Sequence, residues 1–288
     1  MKRFWGSLLI IVAVLFLGNV VVYNLRSARF ETQAARDARF ANVLKQQALL
    51  KTGRQLIKAG DFGRAHEKFN EALNPQYIES DFDKTQAISS KADLLVLQGK
   101  YNEALKEHNW VFERTPAHEY SIAKHKEILA LIEWKKTADN KVIYDYISFL
   151  KKHFQEQIPP VGYKGYHTTV ISTILRLYNT IGDHDAGIAY IDEILDFLRN
   201  RRYAEGKKDY EIYDRIKTVE QASDCMKVGP KDNLNWHGCK FIREYLKVRE
   251  AFEQDKAEGF EGCAHSKPGE VCMGRATKAL IESDYFPW

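Results

Sequence analysis

The chain has 288 residues, 44% of them hydrophobic and 28% charged, a globular balance that argues against disorder and leaves room for one or two buried cores. Its 43 basic and 39 acidic residues give a net charge of +4 spread along the whole length, which speaks against a nucleic-acid binder working through a basic face. Only 17 glycines and 7 prolines interrupt long apolar runs, so the body reads as all-α.

From Phe4 to Leu25 there is no charged residue. Those 22 residues would span about 33 Å as a helix, enough for the hydrocarbon core, with Trp5 and Tyr23 at the two interfaces. Residues 1–25 are therefore expected to be a transmembrane anchor, and 26–40 a juxtamembrane helix or linker. A cleaved signal peptide is the rival, but the stretch is long for one and no clean small-x-small site follows it. Lys2 and Arg3 compete with Arg26, Arg29, Arg36 and Arg39 over orientation. The reading adopted is a single-pass protein of a bacterial inner membrane with a periplasmic body, and a cytoplasm-facing body is the alternative.

The chain contains an internal similarity. Gly60-Asp61-Phe62-Gly63-Arg64-Ala65 and Gly99-Lys100-Tyr101-Asn102-Glu103-Ala104 share the form Gly-polar-aromatic-x-x-Ala, and Gly182-Asp183-His184-Asp185-Ala186-Gly187 is a third copy. Upstream, Leu49, Gly53 and Leu56 stand before Gly60 as Ile88, Ala92 and Leu95 stand before Gly99, and Ile171, Leu175 and Tyr178 before Gly182. The pattern resembles the tetratricopeptide repeat, two antiparallel helices joined by a Gly-containing turn, packed through small residues. Gly60, Gly99 and Gly182 are the expected positive-φ turns, while Ala65, Ala104 and Gly187 are the expected close crossings of hairpin helices. The Gly60-to-Gly99 spacing exceeds the 34-residue unit by five, which puts an insertion near Tyr77 to Thr85.

Between Pro116 and Pro159 lies a degenerate hairpin, with Ile122, Ile128, Leu131 and Ile132 on one helix and Ile143, Ile147, Leu150 and Phe154 on the other. Ile143 occupies a place where a small residue is expected. Residues 41–202 thus read as about four hairpins, two of them well matched, within an all-α, tetratricopeptide-like α-solenoid carrying an N-terminal transmembrane helix and a C-terminal helical cap.

The resemblance implies a concave groove, lined by the first helices, that binds a peptide or helix of another protein. Mapping by spacing gives Gln47, Leu50, Arg54, Ile57 and Lys58, then Gln86, Ser89, Asp93, Val96 and Leu97, then Ser172, Arg176 and Asn179. No Lys and Asn ladder for a terminal carboxylate is among them.

Residues 203–288 read as the cap, with helices at Asp209 to Asp224, Cys239 to Lys256 and Val271 to Ser283. All four cysteines fall here: Cys225, Cys239, Cys263 and Cys272. Of three possible pairings only the sequential one closes short loops throughout, which suits an oxidising compartment. Zinc held by His237, Cys239, Cys263, His265 and Cys272 is the rival, although no Cys-x-x-Cys knuckle is present.

No motif of hydrolases, nucleotide binders or metalloproteases occurs, and His153 and His167 have no carboxylate partner in view. The expectation is a non-catalytic adaptor or assembly factor without cofactor or metal, binding proteins of a membrane complex or periplasmic clients; a small-molecule substrate is not expected. The alternatives are a permanent subunit of a larger membrane complex, with Tyr285-Phe286-Pro287-Trp288 as an attachment tail, and a zinc enzyme in the C-terminal quarter.

Overall fold

The computed structural model describes residues 33–154, 166–200, 216–227, 234–267 and 269–283, and no strand occurs among them. The apolar stretch at 4–25 and the tail at 285–288 lie outside the described residues. Among the described residues no helix is long and apolar enough to cross a membrane. The α-helices are α1 (Gln33–Lys58), α2 (Phe62–Ala72), α3 (Asp81–Leu97), α4 (Tyr101–Arg114), α5 (Glu119–Thr137), α6 (Asn140–His153), α7 (Tyr166–Ile181), α8 (His184–Asn200), α9 (Val219–Lys227), α10 (Leu234–Ala257) and α11 (Arg275–Glu282).

The first eight helices pack as four consecutive hairpins, and the second helix of each lies against the first helix of the next. That nearest-neighbour stacking is compatible with a helical-repeat array. Three turns close on the expected glycines, with φ of 76° at Gly60, 65° at Gly99 and 75° at Gly182. The remaining hairpin turns instead on Ala138, at φ 53°, a left-handed conformation that costs a non-glycine residue roughly 1–2 kcal/mol. The five-residue excess before α3 holds a 3-10 turn, Pro75–Tyr77, and the N-cap Ser80, whose Oγ accepts the Asp83 N–H and donates to its carboxylate.

Small residues mark close packing as expected, but not always against the expected neighbour. A Cβ on Gly53 would lie 2.4 Å from the ring of Phe69 in the partner helix α2. At Gly187 the nearest atom would be 2.5 Å away in Phe252 of α10, so this small residue admits the following helix and not its hairpin partner. In this way α10 stacks on α8 much as a fifth first helix would, with α9 packed against it. Relative to expectation, α10 starts five residues earlier and α11 four residues later. The delay of α11 has a local cause: Gly274 is its N-cap, and a Cβ there would sit 2.5 Å from Asp255 and 2.6 Å from Asn179.

The core divides in two. One cluster runs through hairpins two to four into α10 and α11, with Ile128, Leu131, Trp134, Leu175, Tyr245 and Phe252 at its centre. A smaller one joins the first hairpin to α3, around Leu50, Ala65, Phe69 and Leu94, and takes in Ile281 from α11. The last helix therefore contributes apolar surface to the first hairpin's core, across more than two hundred residues of chain.

Candidate functional site: a strapped face of first helices

The first helices of the hairpins, α1, α3, α5 and α7, form one face, and at mid-height each is tied to the next by a polar contact. Gln47 Nε2 donates to Gln86 Oε1 at 2.7 Å and Arg54 Nη2 to Ser90 Oγ at 3.4 Å, joining α1 to α3. Lys124 Nζ lies 2.5 Å from Asp93 Oδ1, joining α3 to α5, and Arg176 donates to Glu127, joining α5 to α7. Lys124 also contacts Glu127 at 3.1 Å, so the four charges form one network in which Lys124, Glu127 and Arg176 are buried and Asp93 is half-buried.

Burial alone would raise the carboxyl pKa of Glu127, but the charges of Arg176 and Lys124 overcome it and hold it at about 2. Burial likewise opposes the charge on Lys124, and Asp93 and Glu127 more than restore it, leaving its pKa above the usual lysine value. Two positive and two negative groups thus satisfy one another, a charge balance that a buried network requires.

A small cleft with room of about 50 Å³, partly open to solvent, lies beside this network. Ala123, Leu150, Phe154 and Val170 supply its apolar wall, and Asp93, Tyr120, Lys124, Glu127, Ser172 and Arg176 its polar side. Asp93 is the first cause of the raised pKa of Tyr120, with burial second. The Tyr146 hydroxyl, on the cleft floor, donates to Ala123 O at 2.7 Å.

Below mid-height this face is covered: residues 259–267 and 269–283 cross it as a strap with hydrogen bonds to the C-terminal end of every first helix. At α7 the strap's Cys263 N–H donates to Thr180 O at 2.7 Å, and Thr277 Oγ1 to Asn179 Oδ1 at 2.7 Å. At α5, Lys135 Nζ donates to Cys263 O (2.7 Å), Ala264 O (2.8 Å) and Ser266 Oγ (3.1 Å). At α3, Gly269 N–H donates to Gln98 O at 3.1 Å, and at α1, Lys58 Nζ donates to Glu282 O and Ser283 O, each at 3.4 Å. Glycines permit the tightest approach: Gly262, at φ 85°, packs on Gly182, where a Cβ would lie 2.6 Å from Glu261 O.

The cysteines pair as Cys225 with Cys239 and Cys263 with Cys272, at Cα separations of 6.0 and 5.6 Å. These disulfides suit an oxidising, non-cytoplasmic compartment. The second closes a loop within the strap itself. With the sulfurs joined, no thiolate is left for zinc, and among the described residues no group of three or more His, Cys, Asp or Glu converges on a metal position. The His237 side chain lies outside the described ones.

The thirteen groove residues expected from spacing distribute over four settings. Asp93, Ser172 and Arg176 line the cleft. Gln47, Arg54, Gln86 and Ser89 lie on α1 and α3 away from the cleft, the first three in hydrogen bonds between the two helices. Lys58 and Asn179 hold the strap, while Val96 and Leu97 are buried and line a smaller cleft against it. Leu50 and Ile57 are core residues, 1% and 5% exposed, on the flank of α1 turned into the packing. Tyr120, Lys124 and Glu127 were not among the thirteen, although their spacing puts them on one face of α5.

Comparison of the chain with protein-family models, with curated proteins and with solved structures finds no match.

Proposed function

We propose that this chain is a tetratricopeptide-like, membrane-anchored protein-interaction module, non-catalytic, held by residues 4–25 in a bacterial inner membrane with its body in the periplasm. The observation that carries the reading is the open cleft beside the buried charge network. It offers an apolar wall next to fixed charges of both signs, the combination that seats a partner's apolar side chain and orients its polar neighbours. The occupant is a segment of another protein, entering above the strap and not along the whole groove.

A photo-crosslinking residue placed at Thr173, on the cleft, tests this in the full-length protein in cells. A discrete protein adduct is expected there and none at Leu129, which is exposed elsewhere on α5. The adduct should vanish when Ser172→Arg obstructs the cleft mouth. Equal labelling at both positions, or none at either, rules the reading out.

A further inference from the structure

The N-terminal end of the face of first helices carries exposed apolar side chains that the strap does not reach. Phe40, Leu44 and Phe82 are 65%, 53% and 68% exposed, three of the five large hydrophobics so exposed among the described residues. They form one patch. Arg39 to Glu79, Gln46 to the Asp83 carbonyl, Gln47 to Gln86 and Arg54 to Ser90 fix α1 and α3 in parallel at offsets of 36 to 40 residues, which sets Phe82 level with Leu44 and about one turn from Phe40.

We infer that this patch rests on the surface of an anionic lipid bilayer, so that α1 lies along the membrane instead of standing on it. The inference depends on the anchor proposed above, and two observations select lipid as the occupant. The first is tether length: seven residues separate Leu25 from Gln33, and whatever their path they cannot carry Gln33 farther than about 28 Å from the end of the apolar run. The body is therefore held by the very end that bears the patch. The second is charge: α1 carries six basic side chains, Arg36, Arg39, Lys45, Lys51, Arg54 and Lys58, against the single acid Asp37. Arg36, Lys51 and Arg54 share the helical face of Phe40 and Leu44, which is the composition of a helix seated at a lipid interface. Of the nearby acids, Glu79 is paired with Arg39, and Asp81 begins α3.

The test uses the full chain in vesicles of phosphatidylcholine, with and without an equal share of phosphatidylglycerol, prepared with and without acyl-brominated lipid. F82W and L129W each add one fluorophore at an exposed position to the same background. Brominated lipid should remove most of the emission that F82W adds and little of what L129W adds. The loss should be larger with phosphatidylglycerol, shrink in high salt, and disappear in F40S/L44S/F82W. An alkaline carbonate wash of the same vesicles reads the anchor separately. Retention without F82W quenching overturns the patch and leaves the anchor. Quenching in a chain that the wash removes overturns the anchor and leaves a peripheral patch. A blue-shifted, unquenched F82W in a chain that crosslinks to itself means that a second copy covers the patch, and overturns the inference.

Discussion

Lys135 Nζ donates to the Cys263 carbonyl at 2.7 Å, so a side chain from the middle of the array fixes the backbone of a loop 128 residues later. With the Ala264 carbonyl and Ser266 Oγ it uses all three ammonium donors, and burial pushes its pKa below the ordinary lysine value, with Glu270 opposing. Replacing it by methionine keeps the aliphatic stem and removes every donor. Lys135→Met should destabilise the fold by about 1–3 kcal/mol, and faster amide exchange should be confined to residues 259–274, read by hydrogen-exchange mass spectrometry. A uniform increase across all four hairpins would contradict a local role.

Asp255 caps the last helix from outside it. Its carboxylate accepts the N–H groups of Arg275 (2.8 Å) and Ala276 (3.0 Å), and Asn179 Nδ2 donates to it as well. Asp255→Ala removes an anion from a helix N-terminus and strands three donors, a loss expected at about 2 kcal/mol by denaturant titration. Asp255→Asn, which keeps one acceptor oxygen, should lose less.

The charge network gives a pH dependence whose sign is fixed. The carboxyl of Glu127 titrates at about 2 in the folded protein, below its ordinary value of 4.5. Its contribution is complete above pH 4.5 and fades as pH falls from there towards 2. Glu127→Gln leaves Lys124 and Arg176 with only Asp93 nearby, and should cost about 3–5 kcal/mol at neutral pH. Parent and variant stabilities, followed by chemical denaturation, should converge on acidification. A constant gap down to pH 2 would mean that the loss is packing and not charge.

Ile281 is 2% exposed and sits in the first hairpin's core. Ile281→Ala should cost about 2–5 kcal/mol and should speed amide exchange in α1 and α2 as well as in α11. If exchange rises in α11 alone, the two ends are not energetically coupled.

Alkylation under denaturing conditions reads the cysteines directly: no adduct is expected without reductant and four with it. Loops of 14 and 9 residues are closed by the two bonds, and each contributes up to about 3 kcal/mol if chain entropy dominates.

The sequence announced what depends on residue type at a fixed offset. Gly60, Gly99 and Gly182 turn because their φ is positive, and Gly53 is small because Phe69 leaves no room for a Cβ. The third turn stayed hidden because Ala138 carries no such signature. Lys124 and Glu127 went unmapped for a related reason: with Ile143 in the small-residue place, the repeat register offered no anchor in that hairpin. Nor was the strap legible, since much of it is held through main-chain groups of Thr180, Gln98, Cys263 and Glu282, which any residue would present. Leu50 and Ile57 show the limit of spacing, because a helix face read to within one residue cannot separate a groove wall from the core behind it.

Stacked repeats ordinarily unravel from whichever end is weaker, each unit answering only to its neighbours. Here Lys58 of the first hairpin reaches the carbonyls of Glu282 and Ser283, and Ile281 sits in that hairpin's core, so the first hairpin answers to the last described helix as well as to its neighbour. Such a body should melt in one step, its weakest hairpin borrowing the stability of the strongest.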